Sequence, residues 1–139
     1  MNTESQRSQR TEEELTSAII AAAIEVHRTL GPGLLEKVYE RAFCHELKLR
    51  GIRFESQCPV PVLYKGVSLG DDLRLDIVVD GRVIVDLKAK RDLHECDKPQ
   101  LLSYLRLANL HLGLIINFHA PTLAKGVHRV INGFDTPTK

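Results

Sequence analysis

The sequence predicts a single α/β domain in which a central mixed β-sheet is flanked by helices, in the order α-α-β-β-β-α-β. Three observations support this fold class. Apolar residues recur at helical spacing early in the chain, two alternating runs meet at Asp80-Gly81, and a helical segment separates the second run from a buried strand. A strand, a helix and a further strand in succession imply a parallel crossover, so the sheet is expected to be mixed.

Two local signals bound the first helix. Thr11 and Glu14 form a capping-box pattern at its start, and Gly31-Pro32-Gly33 ends it after Leu30. Its predicted apolar stripe comprises Leu15, Ile19, Ala22 and Val26. The polar residues 1–10 are expected to form a disordered tail, and residues 11–139 a single domain.

A second helix is predicted over residues 34–50, ending at the capping residue Gly51. Its expected buried stripe comprises Leu35, Val38, Ala42 and Leu49. Strand-like segments follow near residues 52–54 and over residues 60–69, where Pro59 and Pro61 favour an edge position. The remaining predicted elements are a helix over residues 97–108, a buried strand in the run GLIINF and a last strand over residues 127–131.

The bulk composition indicates an intracellular protein. The formal net charge is only +1, so a polyanionic partner must be held locally. Cys44, Cys58 and Cys96 show no CxxC spacing, which argues against a disulfide framework or a zinc ribbon. No apolar run approaches the roughly 20 residues of a membrane span, and the first ten residues lack a signal-peptide pattern. We therefore expect a soluble cytoplasmic protein without a membrane partner.

The two runs joined at Asp80-Gly81 predict a β-hairpin with one apolar face. The residues expected on the apolar face are Leu75, Ile77, Val79, Val83, Val85 and Leu87. The opposite face would gather Asp76, Asp86 and Lys88.

The register of this hairpin depends on its loop. A Val79-Asp80-Gly81 loop with Gly81 left-handed would pair Asp76 with Ile84 and Arg74 with Asp86, and this is the register that we predict. A loop at Asp80 to Arg82 would keep the same faces and place the two aspartates directly opposite each other. The face assignment therefore depends less on the loop than the register does.

Two carboxylates and an amine on neighbouring strands suit a hard cation such as Mg²⁺, which prefers oxygen ligands. The metal could activate a water, while Lys88 orients that water or stabilises charge at a phosphorus atom. The hairpin alone leaves an alternative open, in which Asp76, Asp86 and Lys88 are solvated residues with a surface ion pair.

Motifs on either side of the hairpin add a family resemblance. Gly33-Leu-Leu-Glu36-Lys-Val-Tyr39 lies upstream and Gln100-Leu-Leu-Ser-Tyr104 downstream. With the RLD and VDLK runs of the hairpin, this ordered series resembles the GxxExxY family of the PD-(D/E)XK nuclease superfamily over about residues 19–132. The resemblance implies a restriction-endonuclease-like core and a Mg²⁺- or Mn²⁺-dependent nuclease that acts on nucleic acid, with DNA as the expected substrate.

The resemblance also implies a role for each motif residue. Asp76 would be the main metal ligand, Asp86 the second, Glu36 the helical acidic residue near the metal, and Lys88 the catalytic lysine. Leu87 would lend its backbone carbonyl to the metal. Gln100 and Tyr104 match the QxxxY signature of RecB-like nucleases and, with Tyr39, would position the site or the nucleic acid.

Plainer interpretations of the helical residues remain open. Tyr39 and Tyr104 could be half-buried packing residues, Glu36 an exposed carboxylate favoured by the helix dipole, and Gln100 a solvated first-turn side chain. Asp86 stands where close relatives usually carry Glu, and Pro99 requires the third helix to begin close to it.

Two hypotheses follow for the function. The first is a divalent-metal-dependent nuclease, and the second is a nucleic-acid- or protein-binding module that kept the scaffold and lost turnover. The presence of every acidic and basic member of the site favours the first. A fold-level analogy adds a homodimer as the assembly that could embrace a duplex.

Overall fold

The computed structural model describes residues 10–70 and 72–133. Its elements are α1 (Glu12–Leu30), α2 (Glu36–Leu49), β1 (Phe54–Val60), β2 (Leu63–Tyr64), β3 (Val67–Ser68), β4 (Leu73–Val79), β5 (Val83–Lys88), α3 (Asp97–Ala108), β6 (Leu112–Asn117), a 3-10 turn (Leu123–Gly126) and β7 (Val127–Ile131). A five-stranded sheet has the order β1-β4-β5-β6-β7. Strands β5 and β6 are parallel and the other neighbours antiparallel. The predicted α/β class with a mixed sheet flanked by helices is confirmed.

Helix α1 follows the prediction at both ends. The Thr11 side chain accepts from the Glu14 N–H at 3.0 Å, and the Glu14 carboxylate accepts from the Thr11 N–H at 2.9 Å. The helix ends at Leu30 before Gly31, whose φ is +74°. The predicted stripe of Leu15, Ile19, Ala22 and Val26 is buried, so α1 covers one face of the sheet.

Helix α2 buries a different face from the one predicted. Its buried residues are Tyr39, Phe43 and Leu47, which lie four residues apart. The predicted stripe of Leu35, Val38, Ala42 and Leu49 is wrong, because Leu35, Val38 and Leu49 are exposed and Ala42 is only partly buried. The larger rings of Tyr39 and Phe43 occupy the core instead, where Tyr39 stacks on Phe118 with ring centroids 4.6 Å apart.

The region after α2 also differs from the prediction. The edge strand of the large sheet is β1, which carries Pro59 as expected for an edge. Residues 60–69 do not form one strand, because the chain turns back at Lys65 and Gly66 and pairs β2 with β3 in a separate two-stranded sheet. We call residues 62–69 the arm.

The parallel crossover from β5 through α3 to β6 is confirmed. Helix α3 spans the predicted residues and holds Pro99 in its first turn, where proline is tolerated. It packs closely on β6 at Gly113, since a Cβ there would lie 2.9 Å from Leu101 Cδ2. The last strand, β7, also matches its prediction.

Two clusters of buried side chains sandwich the sheet. On one face, α1 and α2 pack against sheet residues that include Ile77, Val85 and Leu114. On the other face, α3 packs against Val78 and Ile84. None of the helices within residues 10–70 and 72–133 is both long and apolar enough to cross a membrane. The predicted tail lies outside the described residues apart from Arg10, whose carbonyl accepts from Arg82 Nη1 at 2.7 Å.

Candidate active site

The β4–β5 hairpin turns at Asp80, Gly81 and Arg82. Val79 pairs with Val83 across this loop, and the Arg82 N–H donates to the Val79 carbonyl at 3.0 Å. The predicted Val79-Asp80-Gly81 loop is therefore wrong by one residue, and the other loop that was considered is the one formed. Gly81 is left-handed as expected, with φ +65°, but Asp80 is left-handed as well, with φ +54°.

Contacts with Arg53 explain why Asp80 belongs to the turn. The Asp80 N–H donates to the Arg53 carbonyl at 2.9 Å, and Arg53 Nη2 donates to Asp80 Oδ1 at 2.7 Å. A carboxylate with a nearly buried side chain must be paired in this way. This anchor moves the partner of each β4 residue by two positions along β5 from the predicted register.

Strands β4 and β5 separate beyond the hairpin. Their described pairs end at Ile77 and Val85, although β4 begins at Leu73 and β5 continues to Lys88. Extending the register places Asp76 opposite Asp86. Asp76 Oδ2 accepts the Leu87 N–H at 3.0 Å, so the carboxylate bonds an N–H that strand separation leaves without its β4 partner.

The predicted faces hold for the three polar residues but not for Leu75. Asp76, Asp86 and Lys88 line one cavity. Leu75, expected beside Ile77, instead packs in the cluster on the α3 side of the sheet. The pleat is irregular here, because Gln57, which lies between the residues of β1 that pair with Leu75 and Ile77, has φ +53°.

Four elements of secondary structure meet at this cavity, which has a volume of about 110 Å³ and which we call the site cavity. Its lining comprises Glu36 from α2, Arg74, Leu75 and Asp76 from β4, Ile84, Asp86 and Lys88 from β5, and Gln100 and Tyr104 from α3. The structure thus brings together six of the predicted site residues from distant parts of the chain.

A larger concavity of about 750 Å³ lies beside the hairpin turn, lined by Lys48, Arg53, Asp80 and others. Its buried carboxylate, Asp80, is already paired with Arg53 and Arg82. The site cavity is therefore the better candidate for chemistry that needs an available carboxylate.

The two aspartates of the site cavity resist ionisation. Burial raises the pKa of Asp76 to about 7, the Leu87 N–H opposes this shift, and the Asp86 charge adds to it. Burial also raises the pKa of Asp86, although Lys88 lowers it in part. Two adjacent buried carboxylates favour binding either a proton or a cation between them.

Asp86 is the more deeply buried of the pair. The residue is 7% exposed, and its Oδ2 is buried without a hydrogen-bond partner. Its Oδ1 lies 3.5 Å from Lys88 Nζ. A buried carboxylate oxygen without a partner is costly, so this oxygen is available to a shared proton or to a cation.

The other titratable groups of the site cavity respond to these charges. Burial raises the pKa of Glu36, and the Asp76 charge adds to the shift. Burial lowers the pKa of Lys88, but Asp86 and Asp97 outweigh it, so the net shift is upward and the ammonium form is favoured. Burial also raises the pKa of the Tyr104 hydroxyl.

Tyr39 and Leu87 do not line the site cavity. The Tyr39 ring is buried in the core, and its hydroxyl donates to the Gly31 carbonyl and accepts the Leu34 N–H at 3.1 Å. These bonds fix the turn that leads into Glu36. The Leu87 side chain is buried on the α1 and α2 side of the sheet, so only its backbone can serve the site.

Asn117 is a structural residue that the sequence analysis missed. It is 6% exposed, its Oδ1 accepts the N–H groups of Lys90 at 3.2 Å and His119 at 3.1 Å, and its Nδ2 donates to the Lys90 carbonyl at 2.8 Å. The adjacent Phe118 N–H donates to the Lys88 carbonyl at 2.9 Å. The chain is thereby fixed just beyond Lys88.

The sequence predicted Asp97 as the first residue of a helix but gave it no further role. Its buried carboxylate contacts Lys90 Nζ at 2.8 Å and accepts the His94 N–H at 2.7 Å.

The signal that could have found Asn117 is a polar residue inside the apolar run GLIINF, because a buried polar side chain needs partners. No comparable signal marks Asp97.

The carboxylates of the site cavity meet the needs of one kind of metal ion. Among residues 10–70 and 72–133, no three His, Cys, Asp or Glu side chains lie close enough to hold one ion together. Asp76 and Asp86 nevertheless present carboxylate oxygens from neighbouring strands, and one of these oxygens is buried and unpartnered. This pair fits a hard cation that keeps several of its waters, as Mg²⁺ does.

A comparison with protein-family models identifies the family of the chain. A family model described as the PD-(D/E)XK nuclease superfamily matches residues 13–130, which run from α1 to β7 and include every residue that lines the site cavity. The curated proteins and the solved structures that were searched contain no significant match. The closer resemblance to the GxxExxY family stays a prediction.

Proposed function

Because the chain belongs to the PD-(D/E)XK nuclease superfamily, we propose that it hydrolyses phosphodiester bonds of nucleic acid with a divalent metal ion. Its mixed sheet flanked by helices is consistent with the restriction-endonuclease-like fold. One observation carries the proposal. Asp76, Asp86 and Lys88 line one cavity, and Asp86 Oδ2 is buried there without a partner.

Asp76 and Asp86 are the proposed ligands of Mg²⁺ or Mn²⁺, with the Leu87 carbonyl and Glu36 as further ligands, directly or through water. Such an ion, when bound, polarises a phosphate oxygen and lowers the pKa of a coordinated water. The hydrogen bond from the Leu87 N–H holds the Asp76 carboxylate across the gap between the strands. Asp86 is held by Lys88 on its other oxygen.

Lys88 is the proposed catalytic cation. Its ammonium form is favoured by Asp86 and Asp97, so it can stabilise negative charge that develops on the phosphate and orient the attacking water. Its backbone is fixed by the Phe118 N–H. This support limits the positions that the amine can reach.

Gln100 and Tyr104 are proposed to position the phosphate backbone from α3. They lie one helical turn apart and both line the site cavity. Gln100 is exposed in the first turn of α3, where its side-chain amide can donate to a phosphate oxygen. DNA is the proposed nucleic acid, and a homodimer the proposed assembly on a duplex.

One observation favours a second function, a binding module without turnover. The described residues hold no cluster of three His, Cys, Asp or Glu side chains, so Asp76 and Asp86 would be the only side chains in direct contact with the metal, and Glu36 would act through water. A protein with this site could bind nucleic acid and cut it slowly or not at all. Cleavage and metal binding must therefore be measured separately.

The test is cleavage of single-stranded, duplex and branched DNA and of RNA with Mg²⁺ or Mn²⁺. We expect the wild type to cut at least one of these, Asp76→Ala to abolish the cleavage, and Lys88→Ala to slow it by about 100-fold or more. The matched controls are Asp92→Ala and Lys98→Ala, which remove exposed charges outside the site cavity.

Isothermal titration with Mg²⁺ and Mn²⁺ gives an independent readout. We expect binding that is lost in Asp76→Ala and kept in Asp92→Ala. The proposal fails if no substrate is cut and no Asp76-dependent binding is found. Cleavage at the wild-type rate in both site variants would come from a contaminating nuclease. Nucleic-acid binding without cleavage would support the binding module.

A further inference from the structure

The arm presents one apolar face. Tyr64 pairs with Val67, and the Leu69 N–H donates to the Val62 carbonyl at 2.7 Å, which extends the antiparallel pairing by one pair. Because alternate residues of a strand point to the same side, Val62, Tyr64, Val67 and Leu69 share one face. Tyr64, Val67 and Leu69 are 58%, 60% and 60% exposed.

The tip of the arm combines an aromatic ring with a cation. Lys65 and Gly66 have φ values of +49° and +82°, as in the tight two-residue turns that match the twist of a hairpin. Lys65 Nζ lies 5.4 Å from the centroid of the Tyr64 ring. A short, tightly turned hairpin therefore presents both groups together.

The arm joins the part of the sheet that carries the site. The last described pair between β1 and β4 is Val60 with Leu73, and the arm lies between these two residues in the chain. Asp76 follows Leu73 by three positions, so the start of β4 lies about 10 Å from it at a strand rise of roughly 3.3 Å per residue. Gly66, at the tip, lies ten residues before Asp76, so at the same rise it is at most about 33 Å from Asp76.

The size and chemistry of this face favour bases over a protein surface. Four side chains cover far less than the roughly 800 Å² that each partner buries in a stable protein interface. An unpaired base, in contrast, stacks on a single aromatic ring, and Lys65 can contact the adjacent phosphate. Arg74, which lines the site cavity at the start of β4, adds a further cation between the arm and Asp76.

We propose that the arm binds the unpaired bases of a single-stranded segment of the substrate, with Tyr64 as the stacking platform and Lys65 on the neighbouring phosphate. This inference rests on the proposed nuclease function and adds the substrate class, a nucleic acid with a single-stranded segment beside the cleaved bond. Duplex DNA hides its base faces and would use the arm less.

The test is fluorescence anisotropy of the full chain with a labelled thymidine oligonucleotide and with a duplex of equal length, in EDTA so that metal-dependent cleavage is suppressed. We expect tighter binding of the single strand, and a loss of about five-fold or more in Tyr64→Ala. Tyr64→Phe keeps the ring and should keep the affinity. Ile24→Ser, which changes an exposed apolar residue on α1, is the control and should change nothing.

Leu69→Ser tests the same face independently and covers the case in which Tyr64→Ala fails to fold. Single-strand affinity that is unchanged in both variants overturns the inference, as does a wild type that binds neither oligonucleotide. Sedimentation that shows a dimer lost in these variants, with binding unchanged, would make the arm an interface between copies of the chain.

Different results would contradict the inference about the arm and the proposal of nuclease activity. Asp76-dependent cleavage with binding that is indifferent to Tyr64 removes only the arm inference. Tyr64-dependent binding without cleavage of any substrate removes only the nuclease activity.

Discussion

The carboxylate of Asp76 accepts the backbone N–H of Leu87 at 3.0 Å, across the point where β4 and β5 separate. A side chain here takes the role that a ladder hydrogen bond has elsewhere in the sheet. The contact fixes the position of the carboxylate, yet burial and Asp86 still raise its pKa to about 7. Asp76 is therefore well placed but costly to ionise without a cation.

The stability of the metal-free protein should fall as pH rises from about 4 to about 7. The pKa of Asp76 is about 7 in the folded protein and 3.8 ordinarily, so the folded state binds more protons in this window. The loss should be roughly 1–2 kcal/mol, since solvent and Asp86 share the effect. Urea unfolding in EDTA at a series of pH values measures it. Asp76→Asn should flatten the slope and Asp92→Asn should not; equal slopes in all three proteins would contradict the pKa shift.

Lys88→Ala should change the pH dependence of cleavage as well as its rate. Lys88 lowers the pKa of Asp86, so its removal should move the acidic limb of the pH–rate profile to higher pH. The rate should fall about 100-fold or more if the ammonium stabilises charge on the phosphate. Single-turnover cleavage between pH 5 and 9, with the pH values chosen to span about two units on each side of neutrality, measures both effects. Lys98→Ala should leave the profile in place, and an unshifted limb in Lys88→Ala would argue against this coupling.

Asn117→Ala should lower both stability and cleavage. It leaves the N–H and carbonyl of Lys90 without their side-chain partners, at a cost of about 2–4 kcal/mol. Cleavage should fall because the chain after Lys88 loses its support, while metal affinity, which depends on Asp76 and Asp86, should change little. The comparison is Asn132→Ala, which removes one side-chain bond to Leu110 and should cost about 1 kcal/mol. Equal stability losses in the two variants would mean that Asn117 provides no special support.

Tyr39→Phe and Tyr104→Phe should have opposite signatures. Tyr39→Phe removes the bonds to Gly31 and Leu34 and should destabilise the protein by about 1 kcal/mol, with less than a ten-fold change in cleavage. Tyr104→Phe removes a hydroxyl from the site cavity and should lower cleavage more than stability. Thermal unfolding and cleavage rates test the pair. A large loss of activity in Tyr39→Phe at unchanged stability would place Tyr39 in the chemistry.

The sequence predicted correctly those helices and strands that are defined by residues close together in the chain. The capping box of Thr11 and Glu14, the Gly31 stop and the apolar run before Phe118 each act within a few residues, and the helices and strands there match the predictions. The prediction of the buried face of α2 was wrong because the helix carries two apolar stripes, and spacing alone does not show which one is buried. Packing of the Tyr39 ring on Phe118, which is distant in sequence, decides between them.

The errors at the hairpin have the same origin. An Asp-Gly pair is compatible with several hairpin loops. The contacts of Asp80 with Arg53, which directly precedes β1, select one of these loops. The arm was missed because Lys-Gly is a weaker turn signal than Asn-Gly or Asp-Gly. Only the family resemblance predicted that Glu36, Asp76 and Gln100 would meet at the site cavity. Spacing within one helix or strand carries no information on how separate elements approach each other.

The anchored three-residue turn also makes chain length between the two aspartates part of the site's definition. Strand side chains alternate, so one residue inserted or deleted between Asp76 and the end of the turn would send Asp86 to the face that α1 and α2 cover. Both acids would still be present in the sequence, and a motif search that allowed a gap would still find them. Among distant relatives, conservation of this interval is therefore as informative about a working site as conservation of the acids themselves.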